Sequence, residues 1–132
     1  MNTEFISYEM ALELKELGFY EPCICGYNDY HLLRNKFSSS FDGDFVKWDV
    51  KYDKDLRAPL YQQAFRFFRE KYNLFSCVQL HLNFPTRYYF IIDEIGNDDF
   101  VYHTEDKTIF YDKYEDAEIA CLKLLIEIVK NK

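Results

Sequence analysis

Apolar residues recur at three- and four-residue spacing in three stretches of this chain and alternate with polar residues between them. The first helical stretch spans residues 8–17. Ser7 can cap it by accepting from an amide of the opening turn, and Met10, Leu14 and Leu17, with Ala11 beside them, make a narrow stripe. Gly18 stands where a left-handed residue ends a helix, and Phe19 can fold back onto the stripe. A second helix is predicted over residues 59–72. Pro59 takes the first helical position, where a missing N–H costs nothing. Leu60, Ala64, Phe67 and Phe68 form its apolar face, Gln62, Gln63, Arg66, Arg69 and Glu70 its polar side, and Asn73 its end.

The third helix is predicted over residues 114–129. Ala117, Cys121, Leu124, Leu125 and Ile128 form one stripe, and Ile119, Leu122, Ile126 and Val129 a second. A helix this apolar is covered on more than one side. The second stripe is expected to lie against another helix of the same chain, which favours a monomer over a dimer. Asp112, Glu115, Asp116 and Glu118 crowd the positive end of the helix dipole, and Lys130 and Lys132 the negative end.

Strand patterns fill the intervals. In residues 44–53, Val46, Trp48, Val50 and Tyr52 alternate with Lys47, Asp49, Lys51 and Asp53, which reads as a half-buried antiparallel strand. Its hairpin partner is expected within residues 23–37, across a loop at 38–43 that ends in Asp42-Gly43. Val78, Leu80 and Leu82 alternate with Gln79 and His81, and a loop at 83–86 precedes a continuous apolar run over 88–95. A turn at 96–99, then strands at 100–103 and 108–111, complete a meander. The order is helix, hairpin, helix, meander of three or four strands, helix. This is an α+β fold with an antiparallel sheet and helices on one face. The chain has 132 residues, one domain's worth, and its predicted core is Leu14, Leu17, Trp48, Ala64, Phe68, Ile91, Cys121, Leu124 and Leu125.

Aromatic residues make up 20% of the chain, more than a core of this size can hold, so some Tyr and Phe must reach the surface, where such rings favour contacts with other proteins. The net charge of −7 disfavours a protein that grips nucleic-acid phosphate over its whole surface. The charge is uneven. Residues 57–87 carry 5 basic side chains and 1 acidic, whereas 1–56 and 88–132 each carry 11 acidic against 6 and 5 basic. Within the basic middle, Arg57, Arg66, Arg69, Lys71 and Arg87, with Tyr61 and Tyr72, are the candidate partner-binding residues, because RNA-binding surfaces combine these residue types. An ordinary solvated helix face has the same composition.

Other chemistry is sparse. Cys23 and Cys25 with His31 have poor spacing for a structural zinc site, which favours two sets of paired cysteines. His31, His81 and His103 are scattered along the chain, and Asp42-Gly43-Asp44 lacks the ligand series of a calcium loop. Asp93-Glu94 resembles nuclease carboxylates, but no basic residue follows nearby. Phosphate loops, dinucleotide fingerprints and nucleophile elbows have no match. The expectation is a non-catalytic chain with no metal and no cofactor. Neither a secretory leader nor an 18-residue apolar span is apparent, so reduced cysteines (Cys23, Cys25, Cys77, Cys121) and a cytoplasmic setting are expected.

Three segments carry a resemblance: Ser-Tyr-Glu-Met-Ala-Leu-Glu-Leu-Lys-Glu-Leu-Gly-Phe at 7–19, Ala-Pro-Leu-Tyr-Gln-Gln-Ala-Phe-Arg-Phe-Phe-Arg-Glu-Lys-Tyr at 58–72, and Tyr-Glu-Asp-Ala-Glu-Ile-Ala-Cys-Leu-Lys-Leu-Leu-Ile-Glu-Ile-Val-Lys at 114–130. In this order they resemble a group of small acidic proteins encoded in Bacteroidetes genomes and their phages, a group with no assigned activity from which to carry over site residues. The resemblance implies a bacterial or phage cytosolic setting and a mobile-element accessory role. By analogy with such accessory proteins, it implies an inhibitor that binds a host defence nuclease complex, as anti-CRISPR proteins do. The alternative is a small RNA-binding domain using residues 57–87, and a third reading is an acidic mimic of nucleic acid.

Overall fold

A computed structural model describes residues 5–21, 23, 25–27, 33–35, 56–82 and 87–132. The predicted strand at 44–53 with Trp48, the loops at 38–43 and 83–86, and His31 lie outside the described residues. The elements run α1 (Tyr8–Glu16), β1 (Cys25–Tyr27), β2 (Leu33–Asn35), β3 (Leu56–Ala58), α2 (Tyr61–Tyr72), β4 (Leu74–His81), β5 (Arg87–Glu94), β6 (Asn97–His103) and α3 (Tyr114–Lys130). This is the α+β order expected, with all strand pairs antiparallel. Among the described residues β1, β2 and β3 form one three-stranded sheet, of order β2-β1-β3, and β4, β5 and β6 a second, and the chain divides into two compact units, Met1–Tyr61 and Gln62–Lys132.

In the first unit, α1 starts and stops where local chemistry dictates. The Ser7 hydroxyl accepts from the Met10 N–H at 3.3 Å. Gly18 takes φ 92°, the Phe19 N–H donates to the Leu14 carbonyl at 2.9 Å, and the Gly18 N–H donates to the Lys15 carbonyl at 3.1 Å. This is a Schellman closure that satisfies two carbonyls otherwise left orphaned. Phe19 and Leu14 are both buried, while Leu17, predicted as core, is half-buried because it is the C-cap residue at the helix rim. α1 packs on β3, which pairs with the central strand β1. The Tyr27 hydroxyl donates to the Ile6 carbonyl, and its ring meets Tyr8 edge-on at 5.6 Å.

α2 begins at Tyr61, not at Pro59 as the sequence suggests. The Pro59 carbonyl accepts from the Ile6 N–H at 3.1 Å, and Leu60 bridges Phe5 in antiparallel fashion, so this backbone is already committed to extended pairing. Asn73 ends the helix as expected, in the left-handed conformation at φ 58°.

In the second unit, β4, β5 and β6 form a meander on which α3 packs through β5 and β4. Gly96, at φ 86°, and Ile95 make a two-residue turn. β6 therefore begins at Asn97, earlier than predicted, and residues 97–99 belong to the strand rather than to the turn. The predicted strand at 108–111 reduces to a single bridge between Tyr111 and Tyr88, because Thr108 sits in a turn at φ 57°. Leu74, Phe90 and Ile92 are buried on the α3 side of the sheet, and Phe90 stacks between Tyr102 and Tyr111 at 6.1 Å from each. Ile91, predicted as core, points to the opposite face and is half-buried, since neighbours in a strand alternate sides.

The buried face of α3 falls between the two stripes read from the sequence. Ala117, Cys121 and Leu125 come from one and Leu122 and Ile126 from the other, while Leu124 is only half-buried. Glu118 lies within this face at 8% exposure rather than among the solvated charges of the first turn. Burial, with the nearby Glu115 charge, pushes its carboxyl up to about 7.

Two predictions follow from this helix. Leu125→Ala should cost about 2–5 kcal/mol, as deletions in a close-packed core do, and Leu124→Ala roughly 0.5–1.5 kcal/mol; urea denaturation of both variants checks the order. The folded state holds the Glu118 proton more tightly than the unfolded state, whose carboxyl keeps its ordinary value of 4.5. Stability should therefore fall as pH rises from about 4.5 to 7. Glu118→Gln should remove that slope and gain about 1–3 kcal/mol at pH 8 while matching the parent near pH 4.5, as urea midpoints at the two pH values would show.

Candidate functional site

Cooperating side chains gather on the face of the second sheet that points away from α3. The register puts His81 opposite Arg87, Gln79 opposite Tyr89, Cys77 opposite Ile91 with His103 on its far side, and Phe75 opposite Asp93 with Val101 beyond. Two histidines that are scattered in the sequence thus share one sheet face.

The loop that follows β6 completes the arrangement, and Thr104 sets it. Thr104 is 1% exposed. Its hydroxyl accepts from the Phe90 N–H at 2.9 Å and donates to the Phe90 carbonyl at 3.1 Å, while its own N–H donates to that carbonyl at 3.0 Å. A side chain therefore continues the ladder where β6 leaves it. The Thr104 carbonyl accepts from Lys107 and Ile109, which closes the loop, and the Tyr88–Tyr111 bridge then returns the chain to the β5 edge.

Alternation puts Phe110 on the outer face, where its ring lies 4.6 Å from that of His81 and 4.3 Å beneath the Arg87 guanidinium. Glu105 reaches His81 Nε2 at 3.8 Å. Burial, then the charge and hydrogen bond of Glu105, raise the Tyr89 phenol, which donates to Gln79 at 3.1 Å. Further along, His103 lies between Asp93 at 3.4 Å and Asp106 at 3.8 Å. His81 Nδ1, Arg87 Nε, Asp93 Oδ1 and His103 Nε2 are buried atoms without a hydrogen bond among the described residues. The 3.4 Å approach of His103 to Asp93 acts as a charge contact when the imidazole is protonated.

The seven residues singled out from the sequence are dispersed. Arg57 lies on β3 over the Tyr20 ring, and Tyr61 is buried; both belong to the first unit. On α2, Arg66 and Arg69 are exposed, and the Lys71 ammonium lies 5.5 Å from the centroids of both Phe67 and Tyr72. Arg87 sits on β5 against Phe110. Tyr61, Arg66, Arg69, Lys71 and Tyr72 share α2, with Tyr61 buried at its first position.

All four cysteines are free thiols. Burial pushes Cys23 and Cys121 up to about 12 and raises Cys25, which opposes the thiolate form that a metal or an electrophile requires. Among the described residues no group of three or more His, Cys, Asp and Glu is placed to hold a metal ion, and no helix is long and apolar enough to cross a membrane. No family model, curated protein or solved structure matches the chain.

Thr104→Val keeps the shape of the side chain but strands the Phe90 N–H. It should cost about 1–3 kcal/mol and should raise amide hydrogen exchange selectively at Phe90, Lys107 and Ile109, as exchange followed by mass spectrometry or NMR would show.

Proposed function

We propose that this chain is a non-catalytic binding protein of phage or mobile-element type that works by docking on another macromolecule in the bacterial cytosol. The partner we assign is a host defence nuclease complex, which the chain inhibits in an anti-CRISPR-like manner. The observation that carries the docking surface is the build of α2. Arg66 and Arg69 are exposed and three residues apart, on a helix whose opposite residues Ala64, Phe67 and Phe68 are buried. Anchored aromatics make the helix a rigid mount for two guanidinium groups. Guanidinium pairs bidentately with carboxylate or phosphate, the two acidic chemistries of a ribonucleoprotein surface. The remainder of the chain is strongly acidic, so this segment is the natural place to meet an anionic partner. The resemblance of the three helical segments to phage-encoded proteins supplies the setting.

A second reading, a small RNA-binding domain, draws on Lys71 lying over the Phe67 and Tyr72 rings, since single-strand binders combine basic and aromatic groups. Salt and ligand separate the two. RNA binding collapses with rising salt and is measured directly with a labelled oligonucleotide, whereas inhibition is measured as lost cleavage by a purified nuclease complex.

Arg66→Glu with Arg69→Glu should leave the fold intact, because exposed charges contribute little to stability. The double variant should weaken partner binding by at least about 1–3 kcal/mol and relieve inhibition in parallel. A variant that folds normally and binds and inhibits like the parent removes α2 as the interface.

A further inference from the structure

The two edges of the β4–β5–β6 sheet differ in their protection. Along β6, Asp98 and Asp99 stand exposed, and the register slips at Asp93/Glu94. Charges and bulges of this kind deter a foreign strand. β4 has neither. Leu-Phe-Ser-Cys-Val-Gln-Leu-His contains no Lys, Arg, Asp, Glu or Pro, in a chain that is 30% charged. It pairs with β5 over its full eight residues without a register shift. Among the described residues it pairs with nothing else.

The hydrogen-bond phase identifies the backbone groups at that edge. The Ile95 N–H donates to the Asn73 carbonyl, so Asn73 and every second residue after it direct their backbone groups toward β5. Phe90 and Tyr88, the partners of Val78 and Leu80, instead bond outward to Thr104 and Tyr111, in agreement with that phase. The N–H and C=O groups of Ser76, Val78 and Leu80 therefore point away from β5, and the open part of the edge starts at Ser76, because Leu74 is fully buried. Beside them stand exposed apolar side chains: Phe75 at 39%, Leu80 at 46% and Leu82 at 83%.

We propose that β4 is a pairing edge whose occupant is β4 of a second copy of this chain, joined antiparallel about a two-fold axis at Val78 to form a six-stranded sheet. Charge selects this occupant. Two copies at −7 each repel wherever their carboxylates face one another, and residues 74–82 form a strip free of carboxylates and lysines. In this register Val78 meets its own copy and Ser76 meets Leu80, so like charges never stand opposite. On the other face Phe75 meets His81, and Cys77 meets Gln79. Residues of the same hydrogen-bonding phase face each other, so the outward N–H and C=O groups of Ser76, Val78 and Leu80 find counterparts, as a two-fold antiparallel pair requires. This pairing reverses the monomer expected from the sequence and is independent of the α2 contact.

Light scattering of the purified chain across micromolar concentrations should give twice 16.0 kDa. Leu80→Lys with Leu82→Lys places charge at two already exposed positions. It should return the mass to that of one chain with an unchanged circular dichroism spectrum. The register has its own test. Gln79→Cys puts a thiol opposite the native Cys77 of the other copy, in a non-hydrogen-bonded pair whose Cα separation of about 4.5 Å suits a disulfide. Mild oxidation should give a covalent dimer on a non-reducing gel, lost in the Cys77→Ser background. A parent of single-chain mass up to about 100 µM that gives no crosslinked dimer overturns the proposal. So does a dimer that survives the lysine pair and fails to crosslink, which would place the interface elsewhere.

Discussion

Where β6 departs from β5, the backbone groups of Phe90 lose their ladder partner, and Thr104 replaces it with its hydroxyl and its own N–H. A buried unpaired amide costs as much as a hydrogen bond contributes, so this position admits few alternatives. Much of the second unit hangs on that stitch. It lets the chain leave the sheet for several residues and still return at Tyr111 to pair with Tyr88 on the same edge. It holds Phe90 between two tyrosine rings above α3. It also directs Glu105 and Phe110 across the outer face toward His81, Tyr89 and Arg87. Loosening it would couple loss of core packing on one face to loss of the polar cluster on the other.

Features closed by neighbours in sequence were legible in advance. Ser7, Gly18 and Phe19 announce both ends of α1 because capping joins residues three to five apart. Asn73 announces the end of α2 for the same reason. Features closed by distant partners were not. Pro59 reads as a helix start until the pairing of Ile6 and Phe5 with residues 59 and 60 is known. In α3 the apolar residues extend around most of the circumference, so periodicity yields two stripes, and the sheet beneath selects the arc between them. Glu118, which the dipole pattern places in solvent, falls inside that arc. The outer-face cluster was hidden because it depends on register. His81, Arg87, Asp93 and His103 come from three strands, and only their pairing shows that they share a side.

The outer face and the α2 surface offer different chemistry. The outer face is a network of mutually compensating groups, with guanidinium on aromatic and imidazoles beside carboxylates. Much of its charge is engaged within the chain, which lowers its long-range pull on a partner but fixes the orientation of its donors. The guanidinium groups of α2 are exposed on a helix anchored by buried aromatics. They can act at distance by steering, and their influence falls with ionic strength. A docking surface that gains its rate from charge and its orientation from rigid mounting needs both properties.

Exposed guanidinium groups are individually weak, each contributing on the order of a kilocalorie or less against water and salt. A reading that rests binding on two of them needs either a desolvated centre to the contact or repetition of the contact. The proposed pairing through β4 would provide repetition, because a two-fold assembly carries two α2 helices in one particle. A partner with repeated acidic sites would then be engaged twice. The second engagement proceeds at an effective concentration set by the assembly rather than by solution, which raises avidity without any new contact. On the two proposals together, a chain at −7 would meet its own copy through the strip without charge and an anion through the segment where the sign reverses.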